Sequence, residues 1–434
     1  MQSKGEEIFV QILKIGDGGA EVSLLQKGLV RAGFGPLRLD GIFGPATERA
    51  LQAFQKANGL RPDGIFGPLT ESALTPWFTG FLRHTVTAGD TLWRIAWRYG
   101  TTLAALDAAN PEVDPFDLRI GSKLTVPLGF AVTPTDIPWC SALAEYCVRG
   151  LLARYPSLRG ETIGESALSR PLQALTAGDG PRRVIFTAAH HANEWITAPL
   201  VMKYAETLMD ALAQGGSVYG VTAEELFFRT QISFVPTVNP DGVDLVTGAL
   251  GEPYRSRAAD IARGWPSIPF PEGWKANLQG VDLNLQYPAG WETARAIKTA
   301  QGFDRPAPRD YVGPAPLSAP ESAALAAFTE ALDPDLVLAY HTQGNVIYWQ
   351  FMGSAPPGSR ELGLRLAAAS GYTLENEPYE SSFAGYKDWF LQDFDRPGYT
   401  VEAGVGENPL PPAAFDSMWE ANLGLMTLAA LGTE

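Results

Sequence analysis

A short internal repeat constrains the N-terminal part of the chain more than any other feature of the sequence. Residues 40–51 read DGIFGPATERAL and residues 63–74 read DGIFGPLTESAL, so ten of twelve positions are identical at an offset of 23 residues. In each copy, Asp-Gly suits a tight turn and the proline suits the first turn of a helix. A copy of about 23 residues is too small to fold alone. We therefore expect both copies to share one core with a helix in residues 24–34.

The repeat resembles the type 1 peptidoglycan-binding domain, a small three-helix module. The double DGxFGxxT pattern carries this resemblance, which extends over about residues 12–76. We therefore predict a domain of this type in residues 1–80. The resemblance implies that this part of the chain binds peptidoglycan.

A second small unit is predicted in residues 81–129. Its sequence predicts a strand, a helix with Asp90 as its N-cap, a second short helix that ends before Pro111, and a returning strand at KLTVP. This βααβ order and the segments GDTLWRIAWRYG, AANP and LRIGSKLTVP resemble a LysM domain. Such domains bind N-acetylglucosamine chains of peptidoglycan or chitin.

The LysM resemblance implies glycan contacts from two loops of this unit. The implied residues are Gly89, Asp90, Thr91 and Leu92 after the first strand, and Asn110, Pro111 and Ile120 before the last strand. The alternative is that Asp90 only caps a helix and that the others belong to the core. His84, which opens the unit, is interpreted as structural.

The rest of the chain is predicted to be one large α/β domain. Residues 130–138, FAVTPTDIP, interrupt the periodicity and are predicted to be a linker, so that the domain comprises residues 131–434. Apolar strand-like runs such as VIFTAA, ISFVPT and LVLAY alternate with helix-like stretches such as APLVMKYAETLMDAL. This alternation predicts a mixed or parallel sheet flanked by helices.

Histidine is scarce in the chain, and its positions are informative. Of four histidines, His190, His191 and His341 lie beside apolar strand-like runs, where active sites collect in open α/β sheets. His191 and Glu194 are three residues apart and project to the same side of a helical turn. Two histidines and one carboxylate with an open fourth position form a catalytic zinc arrangement, and His341 can supply the second histidine. Spacing alone also permits an ordinary histidine beside a surface glutamate.

A wider pattern resembles the zinc carboxypeptidases of family M14. The segments HHANEW, VNPDG and GVDLN, the strand ending in His341, and TVEAG occur in this order across most of residues 180–410. GWKANLQGVDLNLQYPAGWE and SFAGYKDWFLQDFDRPGYTVEAGVGENPLP most resemble the bacterial branch that hydrolyses γ-D-glutamyl-L-diamino acid bonds of peptidoglycan peptides. The resemblance implies a zinc carboxypeptidase-like fold for the large domain.

The M14 resemblance assigns roles to five residues. His191, Glu194 and His341 take the places of the ligands of one zinc ion per chain, and Glu402 takes the place of the catalytic general base. Asp282 takes the place of the acid that accepts a hydrogen bond from a zinc-bound imidazole and fixes its tautomer. In the implied reaction, zinc polarises the scissile carbonyl and activates water, while Glu402 moves a proton from that water to the leaving amine.

The sequence departs from the family pattern where the substrate is held. Members that trim C-terminal residues place an arginine after the asparagine of GVDxN, to grip the terminal carboxylate, whereas Asn284 is followed by Leu285. The arginine of the WR motif, which stabilises the oxyanion, is replaced by Lys275, a point charge that is assigned the same role. Asn284 keeps the family's substrate-binding place.

Two further residues are expected to bind substrate. Lys387 in GYKDW falls where the family lines its side-chain pocket, so we expect it to meet a carboxylate of diaminopimelate or D-glutamate; the alternative is a solvated lysine. Tyr379 is assigned the place of the family's mobile tyrosine.

These observations predict a zinc peptidase that cuts the γ-D-glutamyl–diamino acid bond of stem peptides. Its partners would be the glycan chains and stem peptides of peptidoglycan, and diaminopimelate, lysine and ornithine all stay open as the diamino acid. One alternative is a general metallocarboxypeptidase, which Leu285 disfavours. The other is a non-catalytic wall-binding protein with a decayed peptidase fold, which the retained ligands and Glu402 disfavour.

Composition and charge disfavour other classes of protein. Lys and Arg number 33 against 48 Asp and Glu, a net charge of −15, which disfavours nucleic acid or anionic lipid as the main partner. The sequence contains no run of about 18 apolar residues, so no transmembrane helix is predicted. The first residues, MQSKGEEIFVQILKIG, lack the apolar core of a secretion signal, so the expected wall or extracellular location has no visible export signal and an intracellular one stays open. Cys140 and Cys147, if on one helix, are about 10 Å apart and too distant for a disulfide.

Overall fold

The computed structural model describes residues 12–432, which fall into two compact units. The first unit comprises the chain up to Pro156 together with Thr247–Ala249, and the second comprises Ser157–Val246 and the chain from Leu250 onward. Residues 1–11, most of the N-terminal segment that was predicted to lack the apolar core of a secretion signal, lie outside the described residues. Within the described part of the chain, each helix is too short or too polar to cross a lipid bilayer.

The repeat forms the predicted three-helix module of the first unit. Its second and third helices both begin at the proline of a repeat copy, Pro45 and Pro68. Phe43 and Phe66, which occupy equivalent positions in the two copies, are both buried in the core. The helices are α1 (Ala20–Arg31), α2 (Pro45–Ala57) and α3 (Pro68–Thr79).

A buried glutamine explains why each copy keeps its aspartate, glycine and threonine. Gln55 on α2 donates from Nε2 to Asp63 Oδ1 at 2.9 Å and to Thr70 Oγ1 at 3.1 Å. Its Oε1 accepts a hydrogen bond from the amide of Gly64 at 3.0 Å. Gln26 on α1 makes the equivalent contacts in the first copy. Each copy is therefore anchored to the helix that precedes it.

We expect Gln55→Ala to destabilise the three-helix module by about 2–4 kcal/mol. The substitution leaves the Gly64 amide and the Thr70 hydroxyl without their partner, and an unsatisfied buried group costs about 1–3 kcal/mol. Calorimetry of the full chain should show a melting transition at lower temperature than in the wild type. Gln52→Ala, on the same helix with a half-exposed side chain, is the matched control. Equal shifts for the two variants would contradict the role of Gln55.

The second module of the first unit has the predicted βααβ order. Its two strands pair antiparallel along their whole length. Ile95, Leu106 and Leu124 are fully buried and bring both helices and the sheet into one small core. The elements are β1 (Phe81–Thr85), α4 (Leu92–Tyr99), α5 (Leu103–Ala109) and β2 (Lys123–Pro127).

The start of α4 corrects one prediction. The N-cap is Thr91, whose hydroxyl accepts a hydrogen bond from the amide of Arg94, and not Asp90. The carboxylate of Asp90 accepts hydrogen bonds from the amide and hydroxyl of Thr87 and lies 2.9 Å from His84 Nε2. Asp90 thus closes the loop between β1 and α4, and His84 is structural.

The segment predicted as a linker is packed within the first unit. Val132 and Ile137 are buried, and Arg31 donates to the carbonyl of Ala131. Helix α6 (Ser141–Arg154) follows and packs against α3. The boundary between the compact units therefore falls after Pro156, whereas the sequence placed the start of the large domain at residue 131.

The two cysteines lie at the start of α6. Cys140 is its N-cap residue and Cys147 lies in its second turn. Both are buried, and within residues 12–432 neither forms a disulfide, as the spacing predicted.

An eight-stranded mixed sheet organises the second unit and confirms the predicted α/β class. Its strands are β3 (Arg159–Glu165), β4 (Pro171–Ala177), β5 (Arg182–Thr187), β8 (Thr230–Val235), β9 (Leu336–His341), β10 (Val346–Tyr348), β11 (Thr373–Glu375) and β12 (Gly398–Glu402), while β6 (Ser217–Val218) and β7 (Val221–Thr222) form a separate hairpin. The order is β11-β10-β12-β9-β5-β8-β4-β3, and the central strands β12, β9, β5 and β8 run parallel.

Helices pack against this sheet, which is why its central strands read as continuous apolar runs. All six residues of β9 are buried. The helices are α7 (Thr197–Gln214), α8 (Ala223–Arg229), α9 (Pro240–Val246), α10 (Tyr254–Ala262), α11 (Trp291–Ala300), α12 (Pro320–Leu332), α13 (Ser359–Ser370), α14 (Tyr386–Phe394) and α15 (Phe415–Leu431). Because the central strands are parallel, their carboxyl ends share one edge, where β9 ends at His341 and β12 at Glu402.

Candidate active site

The segment after β5 brings a histidine and a glutamate to this edge of the sheet. His191 is the N-cap residue of a single 3-10 turn, Ala192–Glu194, so its side chain and that of Glu194 project to the same side. His191 Nδ1 lies 3.0 Å from Glu194 Oε1. The Thr197 hydroxyl at the start of α7 accepts from the Ala189 amide and donates to the Glu194 carbonyl, which fixes the turn at both ends.

His341 completes a cluster of three possible metal ligands. Its Nδ1 lies 3.0 Å from Glu194 Oε2 and 3.2 Å from His191 Nδ1. One ligand atom from each of the three residues lies within 4.8 Å of the others. His190 stands outside this cluster, with its ring stacked on that of His341 at 5.5 Å between centroids. The structure therefore selects His191 of the adjacent pair, as its spacing from Glu194 indicated.

The donor set and its charges fit a divalent cation. Two imidazole nitrogens and a carboxylate are the three protein ligands of many catalytic zinc sites. Burial alone would lower the pKa of His191, but the negative charges of Glu194 and then Asp282 outweigh it and raise the pKa to about 9. The site therefore favours a positive charge at the position that a zinc ion would take.

Asp282 contacts His191 at the ring nitrogen that does not face Glu194. Its Oδ1 lies 3.1 Å from His191 Nε2, and its Oδ2 accepts from the amide of Asp310 at 3.0 Å. Burial alone would raise the pKa of Asp282, but the charge of His191 holds it well below its usual range. A carboxylate at Nε2 keeps the proton on that nitrogen and leaves Nδ1 free to bind a metal.

Glu402 faces the cluster from the next strand. Its Cα is the register partner of His341, and its side chain lines a cavity of about 570 Å³. Burial, and then the negative charge of Glu194, raise the pKa of the Glu402 carboxyl to about 8. A cation held by the cluster would lower this pKa, because an opposite charge nearby favours the ionised form.

Lys275 lines the same cavity. Its Nζ lies 2.8 Å from Glu194 Oε1. Burial alone would lower the pKa of Lys275, but the charge of Glu194 outweighs it and raises the pKa. Lys275 is therefore charged and adjacent to the cluster.

Asn239, whose role the motif spacing did not reveal, links the backbone of the cluster to that of Lys275. Its Nδ2 donates to the carbonyls of His190 and Ala276 at 3.2 and 3.0 Å, and its Oδ1 accepts from the Gly242 amide. A Cβ at Gly242 would lie 2.7 Å from the Asn239 amide group, so glycine is required here. The VNPDG motif contains both residues and could have indicated this structural role.

Lys387 is the clearest departure from the predicted substrate contacts. Only 2% of its side chain is exposed, and its Nζ donates to the carbonyl of Gln350 at 2.7 Å and to Glu377 at 3.1 Å. It also forms an ion pair with Asp388. Lys387 is thus a buried cation compensated by two carboxylates, and is not open to a substrate carboxylate.

Tyr379 and Asn284 lie close to this charged group. Tyr379 is 62% exposed and lines a second cavity of about 280 Å³ together with Glu377. Asn284 Oδ1 accepts a hydrogen bond from the amide of Tyr386, which begins α14. The substrate contacts assigned to Tyr379 and Asn284 stay predictions.

The residues predicted to contact glycan all lie in the first unit, and they divide by exposure. Those on the surface are Gly89, Thr91, Pro111 and Ile120. Leu92 belongs to the core, and Asp90 is engaged by Thr87 and His84. The Asn110 side chain bonds the backbone of Thr125 in both directions, at 2.8 Å each. Surface contacts with a glycan are therefore predicted mainly for the exposed residues Gly89, Thr91, Pro111 and Ile120.

Comparison with known families accounts for all three parts of the chain. The sequence profile of the zinc carboxypeptidases matches residues 145–424, which is more than half of the chain. The chain belongs to the zinc carboxypeptidase family. The profile of a peptidoglycan binding domain matches residues 18–74 and that of the LysM domain matches residues 84–127. These matches confirm the three resemblances found in the sequence.

Comparisons with individual proteins agree with the family profiles. The chain is 43% identical over 282 residues to gamma-D-glutamyl-L-diamino acid endopeptidase 1 of Lysinibacillus sphaericus. The alignment covers 64% of this chain and 68% of the relative. The chain is 36% identical over 281 residues to the protein YqgT of Bacillus subtilis, covering 64% and 73%. The solved structure of bovine thrombin-activatable fibrinolysis inhibitor shares the fold, with a TM-score of 0.50, 18% identity and coverage of 67% and 96%.

Proposed function

We propose that this chain is a zinc-dependent endopeptidase that hydrolyses the bond between γ-D-glutamate and a diamino acid in peptidoglycan stem peptides. The observation that carries the proposal is the convergence of His191, Glu194, His341 and Glu402 at one sheet edge. The chain also shares 43% identity with a relative whose name states this activity.

In this proposal, the residues around the cavity have different chemical roles. His191, Glu194 and His341 would hold the zinc ion, which would supply Lewis acidity that polarises a carbonyl and lowers the pKa of water. Glu402 accepts a proton from the attacking water and returns it to the leaving amine. Lys275 offers a positive charge where the carbonyl oxygen becomes negative.

The side chain after Asn284 favours an endopeptidase over an enzyme that trims C-terminal residues. Leu285 packs against a cluster that includes Trp291 and Phe383, so this position offers apolar contact and no cation. A terminal carboxylate would therefore lack the arginine grip that the trimming members of the family have.

The two N-terminal modules support a substrate in the cell wall. We infer that they bind peptidoglycan and hold the enzyme at the wall. Tethering raises the effective concentration of stem peptides near the active site without any new contact in that site.

Digestion of purified muropeptides with the zinc-loaded protein tests the proposed function. Release of L-Ala-D-Glu, identified by mass spectrometry, is the expected result, and the zinc-loaded Glu402→Gln variant is the matched control. Release of only a C-terminal residue would indicate a general metallocarboxypeptidase. Peptidoglycan binding without any product would indicate a non-catalytic wall-binding protein.

We expect Asp282→Asn to weaken zinc binding by about 10- to 100-fold, the usual effect of losing a carboxylate that orients a ligand histidine. Asparagine keeps the size of Asp282 but removes the charge that stabilises the Nε2 proton of His191. Competition with a chromogenic chelator measures the affinity. Asp304→Asn, at an exposed position in the same unit, is the control. An unchanged zinc affinity in Asp282→Asn would refute the orienting role.

A further inference from the structure

Arg309 lies in the wall of the active-site cavity, although no motif in the sequence drew attention to it. The amides of Lys275 and Ala276 both donate to the carbonyl of Pro308, so the segment that carries Arg309 runs beside Lys275. Arg309, Lys275 and Glu402 line the same cavity of about 570 Å³. The arginine therefore stands close to the groups that would act on a scissile amide.

The head group of Arg309 is largely uncommitted. Its Nε donates to Asp310 Oδ2 at 2.7 Å, while the other oxygen of Asp310 binds Lys298 Nζ at 2.6 Å. The carboxylate of Asp310 is thus shared by Arg309 and Lys298. Within residues 12–432 the two terminal nitrogens of Arg309 have no hydrogen-bond partner, and 42% of the side chain is exposed. Arg309 therefore brings a planar fork of donors to the wall of the cavity.

Such a fork matches one class of ligand. A guanidinium binds a carboxylate through two parallel hydrogen bonds, a geometry that lysine cannot reproduce. Lys275 is already paired with Glu194, and Lys387 is paired with Glu377 and Asp388. Of these three cations, Arg309 is the one without a carboxylate partner at its terminal nitrogens within the described residues.

We propose that Arg309 binds a substrate carboxylate beside the scissile amide and thereby contributes to the choice of substrate. The inference rests on the proposed function. A γ-linked D-glutamyl residue retains its α-carboxylate a few bonds from the scissile carbonyl, whereas a residue inside an ordinary α-linked peptide has no carboxylate there. The diamino acid carries a second carboxylate on the other side of the same bond. Arg309 is thus a specificity-determining residue for one of these two groups.

A set of three peptides tests the inference with the zinc-loaded full chain. The first is L-Ala-γ-D-Glu-meso-diaminopimelate, the second has the α-carboxylate of D-Glu amidated, and the third has the carboxylates of diaminopimelate amidated. For wild type, one of the amidated peptides should show a kcat/KM about 10- to 100-fold lower than the free acid, since hydrogen bonds to charged groups are worth about 1.5–3 kcal/mol. The amidated peptide that is affected identifies the carboxylate.

Arg309→Gln should lower kcat/KM for the free acid and reduce the acid-to-amide ratio towards one, while Arg309→Lys restores part of that ratio. Arg305→Gln, which removes an exposed arginine paired with Asp304, is the matched control and should keep the wild-type ratio. If wild type cleaves the free acid and Arg309→Gln keeps both wild-type ratios, the role of Arg309 is overturned and the proposed function stands.

Binding distinguishes failure of the inference from failure of the proposed function. Calorimetry measures the affinity of the three peptides for zinc-loaded Glu402→Gln protein, with and without Arg309→Gln. If wild type cleaves none of the peptides, the proposed function fails. A preference for the free acid that disappears with Arg309→Gln would still support the carboxylate site. Equal affinities with and without the substitution, or no binding at all, would overturn it.

Discussion

Glu402→Gln should lower kcat/KM for a γ-D-glutamyl peptide by about 10²- to 10⁴-fold and leave the zinc content unchanged. A positioned acid–base group contributes a factor of this size, and glutamine cannot accept and return a proton. Glu402 suits the role because it lies at the end of a central strand beside His341 and lines the cavity. Steady-state kinetics on a defined peptide, with zinc measured by mass spectrometry, check both parts.

The control for Glu402 is the same substitution at an exposed glutamate of the second unit. Glu375 ends β11 and faces solvent, so Glu375→Gln should retain wild-type kcat/KM. Wild-type kinetics in Glu402→Gln would remove this residue from the reaction. Loss of zinc from that variant would instead give Glu402 a role in metal binding.

His341→Ala should abolish both stable zinc binding and peptidase activity. His341 is 1% exposed, and its Nδ1 is one of three donors that converge on the proposed ion. Two remaining ligands do not complete the three-ligand set of a catalytic zinc site. The zinc content after dialysis should fall to background, and added zinc should no longer raise the melting temperature of the second unit, because that stabilisation requires binding to the native state.

Two further variants serve as controls. One tests whether His341→Ala loses zinc because it misfolds, and the other tests whether removing any histidine lowers the zinc content. His341→Gln fills the buried site with a side chain that is a poor zinc ligand and should behave like His341→Ala. His84→Ala removes a histidine from the LysM module in the other unit, where it contacts Asp90 and Tyr99, and should keep the zinc content. Wild-type zinc affinity in both His341 variants would place the metal elsewhere.

The position of the site was predictable because buried parallel strands are visible in sequence. Both faces of β9 and β12 are covered, so these strands read as apolar runs whose ends carry His341 and Glu402. The pair of His191 and Glu194 was predictable from its spacing within one turn. The eight-stranded mixed sheet follows the predicted alternation of strands and helices.

Contacts between distant segments were not predictable. Arg309 reaches the cavity because Pro308 bonds the backbone beside Lys275, and no local pattern encodes that pairing. The sequence showed a cation at Lys387, but its neutralisation by Glu377 depends on how the preceding loop folds back. A cysteine spacing was easier to interpret, because both residues lie on one helix.

Local competition explains two smaller errors. Asp90 and Thr91 are both good N-cap residues, and the contacts of Asp90 with His84 and Thr87 decide in favour of Thr91. Residues 130–138 have the composition of a linker, yet Val132 and Ile137 are buried. The composition of a segment does not show whether its few apolar side chains will be buried in a core.

The glutamine contacts of the repeat limit how the wall-binding region can be shortened or rebuilt. The first copy depends on Gln26 of α1, and its own helix α2 supplies Gln55 to the second copy. Excising either copy would strip buried partners from what remains, although the two look interchangeable on paper. An engineered or naturally truncated anchor must therefore keep α1 to α3 as one inseparable block, and variation in the number of copies would have to proceed by whole modules.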